Sequence, residues 1–419
     1  MPRLTTATAV LALCAAPALA QEKSAVLTTY ADIGQAVYSD SLTTAKALKA
    51  AVKDLIASPS EASLTAARAA WVTARVPYQQ SEAFRFGNAI VDEWEGRVNA
   101  WPLDEGLIDY VDADYGGATD ENLYAALNVI ANPSFRLSGG EIDASDITPK
   151  FLAETLHEAD GVEANVATGY HAIEFLLWGQ DLNGTAHGAG DRPYTDFAAG
   201  VSCTNDHCDR RGDYLMAAVD LLIEDLDWMA NQWGQSGAAR TTLSDNPEAG
   251  IAAILTGMGS LSYGEQAGER MKLGVMLNDP EEEHDCFSDN THNSHFYDGL
   301  GIRNVYFGEY VGIDGRVVTG KSLSALVAAA DPSVDGDLRA ALDHTMAELG
   351  QLKAAAEAGF SYDQMLARGN AEGEATIMAA VDALVAQTRH IERAVAALRL
   401  EDVGFEGSNS LDDPGAVFQ

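Results

Sequence analysis

The stretch Leu215-Met-Ala-Ala-Val219-Asp-Leu-Leu222-Ile-Glu-Asp-Leu226-Asp-Trp-Met229-Ala-Asn-Gln-Trp233 carries the clearest hydrophobic pattern in this chain of 419 residues. Its apolar side chains recur three or four residues apart, which is the spacing of one face of an α-helix. Four other segments show the same spacing: 48–56, 64–78, 338–352 and 377–398. Alternating strand patterns are scarce, and Gly315–Thr319 is at most a short piece of hairpin. The sequence therefore predicts an all-α fold built from packed helical bundles.

Runs of Gly, Pro and polar residues suggest how these helices are divided. Residues 234–248 form the best predicted inter-domain linker. The prediction is an N-terminal helical domain at 21–240, a C-terminal helical domain at 241–400 and a flexible acidic tail at 401–419. The two domains would pack side by side, and their similar size permits a diverged structural duplication.

The first twenty residues predict a secretory signal peptide. An apolar run from Ala7 to Ala16 precedes Ala18-Leu-Ala20, which offers small residues where a signal peptidase cleaves. Leu13 stands before Cys14, where a lipoprotein signal needs a small residue, so we expect cleavage after Ala20 and no lipid anchor. No later stretch has eighteen unbroken apolar residues, so we expect no transmembrane span in a mature chain that is periplasmic or exported.

The formal net charge is −37 at pH 7. Such a field repels phosphate backbones, so nucleic acid is excluded as an expected partner. It attracts cations over a Debye length. Adaptation to a salty medium is an equally good explanation of the charge.

Three cysteines follow the predicted cleavage point, and export makes a disulfide plausible. Cys203 and Cys208 enclose four residues in a polar loop and form the natural pair, which leaves Cys286 over. Cys286 pairing with either of the other two stays open.

His171 and Glu174 are the first residues that suggest chemistry. They lie three apart in a segment with helical periodicity, so both side chains point to the same side. An imidazole nitrogen and a carboxylate oxygen could bind one metal ion there, although such pairs are more often simple hydrogen bonds. Their neighbours are apolar, so burying the pair is costly unless a cation or an arginine, such as Arg75 or Arg85, compensates.

Two other stretches concentrate polar residues. Residues 281–295 contain His284, Asp289 and His292 within a run rich in carboxylates, which suits either a metal site or a solvated acidic loop. The stretch from Arg75 to Phe86 places Arg75, Tyr78, Glu82 and Arg85 on one helical face. That face is either salt-bridged or one wall of a polar site.

Several catalytic patterns are missing from the sequence. There is no His-Glu-x-x-His, so a thermolysin-type zinc peptidase is excluded. There is also no Gly-x-Ser-x-Gly, no Walker loop, no Rossmann fingerprint and no Cys-x-x-Cys-His. The hydrolase, nucleotide-binding and haem-binding classes that depend on these patterns are therefore disfavoured.

The segment Gly169-Tyr-His171-Ala-Ile-Glu174 resembles the Gly-x-His-x-x-Glu signature of the imelysin family, which includes iron-regulated exported proteins and insulin-cleaving membrane proteases. The stretches 75–86, 99–105, 192–194, 208–215 and 282–292 are similar to the iron-regulated branch. The resemblance covers most of the chain after residue 20.

The resemblance implies two helical-bundle domains with the signature at their interface, in a protein tied to iron acquisition. It makes His171 and Glu174 the leading metal ligands and Glu82 the best third candidate. It leaves His284, Asp289 and His292 as weaker ligand candidates. The residues expected to surround these ligands without binding the ion are Gly169, Arg75, Tyr78 and Arg85.

Three functions follow as hypotheses. The first is a periplasmic protein that binds iron, as Fe²⁺ or Fe³⁺ or as a chelate, and works with an outer-membrane receptor or an inner-membrane permease. The second is a zinc-dependent peptidase that uses the His-x-x-Glu motif. The third is a scaffold without metal, in which an arginine neutralises the buried pair.

Overall fold

The structure is a computed structural model that describes residues 9–119, 122–401 and 403–418, with side chains from residue 21 onward. The α-helices are α1 (Ala9–Ala57), α2 (Glu61–Ser81), α3 (Ala89–Asn99), α4 (Glu105–Ile108), α5 (Pro149–Phe151), α6 (Gly169–Trp178), α7 (Cys208–Gln232), α8 (Ala238–Asp245), α9 (Pro247–Ser260), α10 (Leu273–Leu277), α11 (Thr291–Phe307), α12 (Leu323–Ala330), α13 (Pro332–Glu357), α14 (Tyr362–Leu366), α15 (Ala371–Leu398) and α16 (Asn409–Asp412). The 3-10 helices are Glu82–Phe84, Ala159–Gly161, Tyr194–Phe197, Gly200–Ser202, Pro280–Glu282 and Ala416–Phe418. The π-helical segments are Leu152–Leu156 and Leu261–Lys272.

The all-α prediction is confirmed, with 66% of the chain helical and 4% in strands. Each hydrophobic stripe in the sequence lies on a helix: 48–56 on α1, 64–78 on α2, 338–352 on α13 and 377–398 on α15. The opening stripe runs along α7, and its Leu215, Val219, Leu226 and Met229 are fully buried. The structural duplication is not confirmed.

The strands form two short antiparallel hairpins. One pairs β1 (Ser134–Leu137) with β2 (Gly140–Asp143), and the sequence analysis did not predict it. The other pairs β3 (Glu309–Val311) with β4 (Val317–Thr319), where a hairpin piece was expected. Neither hairpin belongs to a larger sheet among the described residues.

The main hydrophobic core draws on residues from both sides of the proposed boundary at residue 240, from Val26 on α1 to Ile391 on α15. A smaller core lies among the π segment 261–272, α13, α14 and α15. Inside the proposed linker 234–248 the chain forms α8, and Asn246 then caps α9. The domain boundaries therefore stay a prediction.

The described part of the tail, residues 403–418, differs from a free tail because it makes specific contacts. Ser410 Oγ donates to the carbonyl of Gly268 at 2.9 Å, and Tyr263 Oη donates to Asp412 at 2.7 Å. Phe405 covers Gly259, where a Cβ would have no room. Small residues on α9 and the π segment thus form a groove that the tail fills.

α9, the π segment 261–272 and α10 follow one another without a break from Pro247 to Leu277. This rod, together with α2, α6 and α11, surrounds the polar residues described below. Among the described residues, no helix is long and apolar enough to cross a bilayer. Residues 1–8 of the predicted signal peptide lie outside the described part, and cleavage after Ala20 stays a prediction.

Candidate metal centre

The helix that carries the His-x-x-Glu pair is positioned by Gly169. This residue has φ +81°, and a Cβ on it would lie 2.4 Å from the carbonyl oxygen of Val98. Only glycine therefore allows α6 to begin in contact with the end of α3. On the other side, Trp71 Nε1 of α2 donates to the carbonyl of Tyr170 at 2.9 Å. All ten residues of α6 are buried.

His171 and Glu174 contact each other inside this helix. His171 Nδ1 lies 3.0 Å from Glu174 Oε2. The other carboxylate oxygen, Oε1, accepts from Ser288 N at 3.0 Å and from Ser288 Oγ at 2.6 Å. Every oxygen of Glu174 thus has a partner, whereas Nε2 of the buried His171 ring has none among the described residues.

The loop before α11 brings a second histidine to the pair. The His284 ring lies 4.8 Å from the His171 ring between centroids, and its Nδ1 is buried without a hydrogen-bond partner. Asp285 Oδ1 lies 3.9 Å from His171 Nδ1. The loop is held by Asn290 and Ser294, which donate to Asp285 Oδ2, and by Thr291 Oγ1, which accepts from Asp285 N at 3.0 Å.

Arg75 supplies the positive charge nearest to these residues. Its guanidinium donates to Asp285 Oδ1 at 2.7 Å and to Asn99 Oδ1 at 2.6 Å. It also lies over the rings of Trp71, Tyr78 and Tyr170, with 5.1 Å to the Tyr170 centroid. Arginine therefore compensates Asp285 directly, while Glu174 is held by a histidine and a serine.

Burial sets the protonation of the group. It lowers the pKa of His171 to about 3, with Arg75 adding to the effect, and it lowers the pKa of His284 well below its usual value. Burial also raises the pKa of Glu174 well above the usual range, and Asp285 adds to the rise. Both imidazoles are therefore neutral at pH 7, which is the form that binds metals.

Donor atoms of His171, His284 and Asp285 all lie within 4.8 Å of one another. Two nitrogens and one oxygen at this spacing suit a transition metal such as iron or zinc. The buried nitrogens without partners fit such an ion, because an unsatisfied buried polar atom is otherwise costly. Glu174 touches this group through His171 and is not part of it.

Glu82, the third ligand candidate, lies in a neighbouring ionic cluster. Its Oε2 accepts from Arg270 at 2.7 Å, and Arg270 also contacts Glu265 and Asp298. Arg85 belongs to the same cluster through Glu265 at 3.4 Å. The helical face predicted at Arg75–Arg85 is thus divided, with Arg75 at the histidine group and Glu82 and Arg85 at this cluster.

Asp289 and His292 also lie apart from the histidine group. The Asp289 carboxylate belongs to a separate group with Asp181 and Asp363. His292 Nε2 lies 3.0 Å from Asn293 Nδ2, and its Nδ1 has no described partner. Of the six ligand candidates, the described structure brings His171, Glu174 and His284 together.

A cavity of about 460 Å³ borders the group at His284. Asn99, Trp101 and Arg270 also line it. Its carboxylates include those of Glu95, Glu265, Glu269 and Glu282. Burial raises the pKa of Glu95 to about 7, against the pull of Arg85. The cavity beside His284 is therefore lined by four carboxylates against two arginines, Arg85 and Arg270.

Three residues of the site, Asp285, Asn99 and Arg270, were not among the predicted site residues. Asp285 directly follows His284, so adjacency to a ligand candidate was the available signal. Arg270 lies in the π segment, whose buried face is largely polar and so does not show as an apolar stripe.

Cys203 and Cys208, the expected pair, form a disulfide. Cys286 is buried and has a free thiol.

The fold and this group define an all-helical protein with a buried histidine–carboxylate group that could hold a metal ion. The family model described as Imelysin matches residues 34–391, so the chain belongs to the imelysin family. No curated protein matches it in sequence.

Two solved structures have the same fold. The chain is similar to a protein called iron-regulated protein A precursor from Parabacteroides distasonis, with 20% identity and a TM-score of 0.63 over 90% of this chain and 95% of that one. It is also similar to an imelysin-like protein from Psychrobacter arcticum, with 18% identity and a TM-score of 0.58 over 92% and 98%.

Proposed function

We propose that this chain is an exported iron-binding protein that takes part in iron acquisition, with His171, His284 and Asp285 as the protein ligands of the ion. The observation that carries the proposal is a pair of buried imidazoles, each with one nitrogen that has no hydrogen-bond partner (Nε2 of His171 and Nδ1 of His284), beside a carboxylate fixed by Arg75. Two imidazoles and one carboxylate are a donor set that ferrous iron accepts. The name of the Parabacteroides distasonis relative agrees with a link to iron.

In this proposal Glu174 orients His171 and does not bind the ion. Its Oε1 is held by Ser288 and its Oε2 by His171 Nδ1. A carboxylate that binds one imidazole nitrogen fixes the ring and leaves the other nitrogen for the metal. The spacing of three residues on α6 makes this contact possible.

The acidic cavity would guide the ion inward. The four carboxylates that line it attract a cation toward the neutral histidines. The cargo would then pass to or from a membrane partner, either an outer-membrane receptor or an inner-membrane permease. A free ion is the simplest ligand for a cavity of about 460 Å³, and a chelate is the alternative.

The test is an anaerobic titration of metal-free protein with Fe²⁺. We expect one saturable site that His171→Ala abolishes. Glu174→Gln should keep binding within about tenfold of the wild type, because the amide oxygen still accepts a hydrogen bond from the ring. His344→Ala, which removes an exposed histidine from α13, is the matched control. Full retention of binding in His171→Ala would refute the proposal.

A zinc-dependent peptidase is the second candidate. The observation in its favour is the approach of His284 to His171 and Glu174, because two histidines and one glutamate are the ligands of carboxypeptidase-type zinc enzymes. Such an enzyme must cleave an unfolded protein, and this cleavage must be inhibited by a chelator and lost in Glu174→Gln.

A protein that binds no metal, and in which substitution of His171 or Glu174 lowers only stability, would instead be the scaffold of the third hypothesis.

A further inference from the structure

A second group of carboxylates lies apart from the histidines. Asp181 follows α6, Asp289 precedes α11 and Asp363 lies on α14, so three distant parts of the chain converge. One oxygen from each lies within 4.8 Å of the others. Three negative charges at this distance repel one another strongly unless a proton or a cation intervenes.

The described residues provide no positive partner for this group. Asp181 Oδ1 accepts hydrogen bonds from Asn183 N at 2.8 Å and from Asn183 Nδ2 at 2.7 Å. These donors are uncharged, so they do not neutralise the carboxylate. Asp363 is only 1% exposed, and neither of its oxygens makes a hydrogen bond of normal geometry, although the Ser361 hydroxyl and the Gln364 backbone N–H lie close enough to oppose the rise in its pKa. This arrangement contrasts with Asp285 and Glu82, each of which an arginine compensates.

Glu283 adds a fourth carboxylate close by. It is 1% exposed, and neither of its oxygens has a hydrogen-bond partner in the described structure. The pKa of Asp289 rises to about 7 by burial, then through Asp363 and Asp181. Asp363 and Glu283 are therefore both buried, and their carboxylate oxygens are available to bind a cation.

We propose that Asp181, Asp289 and Asp363 form a second cation site, which binds Ca²⁺ with Glu283 beside it. The donors are all oxygen, which hard cations prefer and which differs from the nitrogen-containing group at His171. Two oxygens bound to one Ca²⁺ at about 2.4 Å lie at most about 4.8 Å apart, so the present spacing already accommodates this ion. Mg²⁺ demands near-ideal octahedral geometry at about 2.1 Å and keeps several of its waters, so a group of converging protein carboxylates favours Ca²⁺.

The site would join segments that are far apart in sequence. The loop 283–290 contributes Asp285 to the histidine group, Ser288 to Glu174 and Asp289 to the carboxylate group. A bound Ca²⁺ would therefore fix this loop against α14 and the segment after α6. Its role would be structural, and it would share no ligand with an ion at His171.

The experiment is a calorimetric titration of the full chain with Ca²⁺ after removal of metals by EDTA. We expect one saturable site in the wild type, which binds Ca²⁺ more tightly than Mg²⁺. Asp363→Asn and Asp289→Asn should each weaken Ca²⁺ binding by about tenfold or more. Asp382→Asn, which removes an exposed charge from α15, and His171→Ala should leave it unchanged.

Thermal unfolding gives a second measurement that does not depend on detecting heat of binding. Without Ca²⁺, Asp363→Asn should unfold at a higher temperature than the wild type, because it removes one of the repelling charges. With saturating Ca²⁺ the order should reverse. The proposal fails if the wild type has no saturable site, if Asp363→Asn binds Ca²⁺ as well as the wild type, or if His171→Ala abolishes binding. Failure of the iron titration at His171 would leave this result untouched.

Discussion

Arg75 shows how one residue can decide whether a buried polar group is stable. It lies 1% exposed, bridges Asp285 and Asn99, and stacks on three aromatic rings. Burying two opposite charges is costly, and the cost is offset only while both are present. Removing the arginine alone leaves a carboxylate in the interior with hydrogen bonds but no opposite charge.

We therefore expect Arg75→Met to lower the free energy of unfolding of the metal-free protein by about 3–5 kcal/mol. Arg75→Met combined with Asp285→Asn should recover at least about 1 kcal/mol of this loss, because neither charge of the pair then remains buried without the other. Urea denaturation of the two single variants and the double variant measures the coupling. Strictly additive losses would show that the pair does not interact as described.

Asp225 on α7 provides a residue-level prediction about pH. Burial raises its pKa to about 6, although Arg97 lies 2.8 Å away, and its Oδ2 has no partner in the described structure. The folded state therefore binds this proton more tightly than the unfolded state, whose aspartate titrates near 4. The stability contribution is present below pH 4 and is lost as the pH rises through 6.

Asp225→Asn should remove this dependence. Between pH 4 and pH 7.5 the wild type should lose about 2 kcal/mol more unfolding free energy than the variant. Urea denaturation at several pH values measures the difference. Asp227→Asn, an exposed neighbour on α7, controls for the lost charge. A wild-type-to-variant difference that stays constant with pH would contradict the assignment.

Among the elements, α6 shows how a helix is placed by its first residue. Gly169 has a positive φ and lies against the Val98 carbonyl, where a Cβ would not fit. The absence of a Cβ therefore lets α6 start close to α3, and this sets the position of His171. Gly116 has a φ of +98° but no atom within 4 Å of an added Cβ. An alanine at Gly116 would therefore suffer backbone strain alone, whereas an alanine at Gly169 would suffer both strain and a steric clash.

Gly116→Ala should cost about 1–2 kcal/mol, which is the strain of a left-handed alanine. Gly169→Ala should cost at least about 2 kcal/mol more, because α6 must also move away from α3. Thermal and urea unfolding of both variants give the comparison. Equal losses would mean that the contact with Val98 does not constrain the helix.

The elements also show what the sequence could predict. α7, α13 and α15 follow stripes of buried side chains, and those stripes have the period of the α-helix. The π segment 261–272 buries polar side chains such as Gln266 and Arg270, so a search for apolar residues at helical spacing does not select its buried face. The sequence therefore predicts the long α-helices and misses the rod that carries Arg270.

The candidate site follows the same division. The pair on α6 is visible in the sequence because helical geometry alone brings residues three apart together. The approach of His284 was implied by the family resemblance only. Asp363 could not be selected at all, because its partners Asp181 and Asp289 come near it only through the packing of three separate segments. Local periodicity does not specify contacts of that kind.

For the whole molecule the dominant property is the net charge of −37. Repulsion within a compact chain of one sign lowers its stability, and salt screens this repulsion. The positive charges are not spread evenly, because several arginines are buried in ion pairs such as Arg75–Asp285 and Arg270–Glu82. The surface is left strongly acidic.

We expect the melting temperature to rise by several degrees when NaCl increases from about 10 mM to about 500 mM, with EDTA present throughout. KCl at the same concentrations should act equally, because screening depends on ionic strength and not on the identity of the cation. Differential scanning calorimetry measures the change. A melting temperature that falls with salt would mean that attractive ion pairs outweigh the repulsion.

The central claim is that iron binds between His171, His284 and Asp285. Anomalous diffraction from crystals of the protein loaded with Fe²⁺ without oxygen, with data on both sides of the iron edge, tests it most directly. We predict an iron peak within bonding distance of both imidazoles and the Asp285 carboxylate. A peak at another position, or none beside the two histidines in fully loaded protein, would contradict the claim.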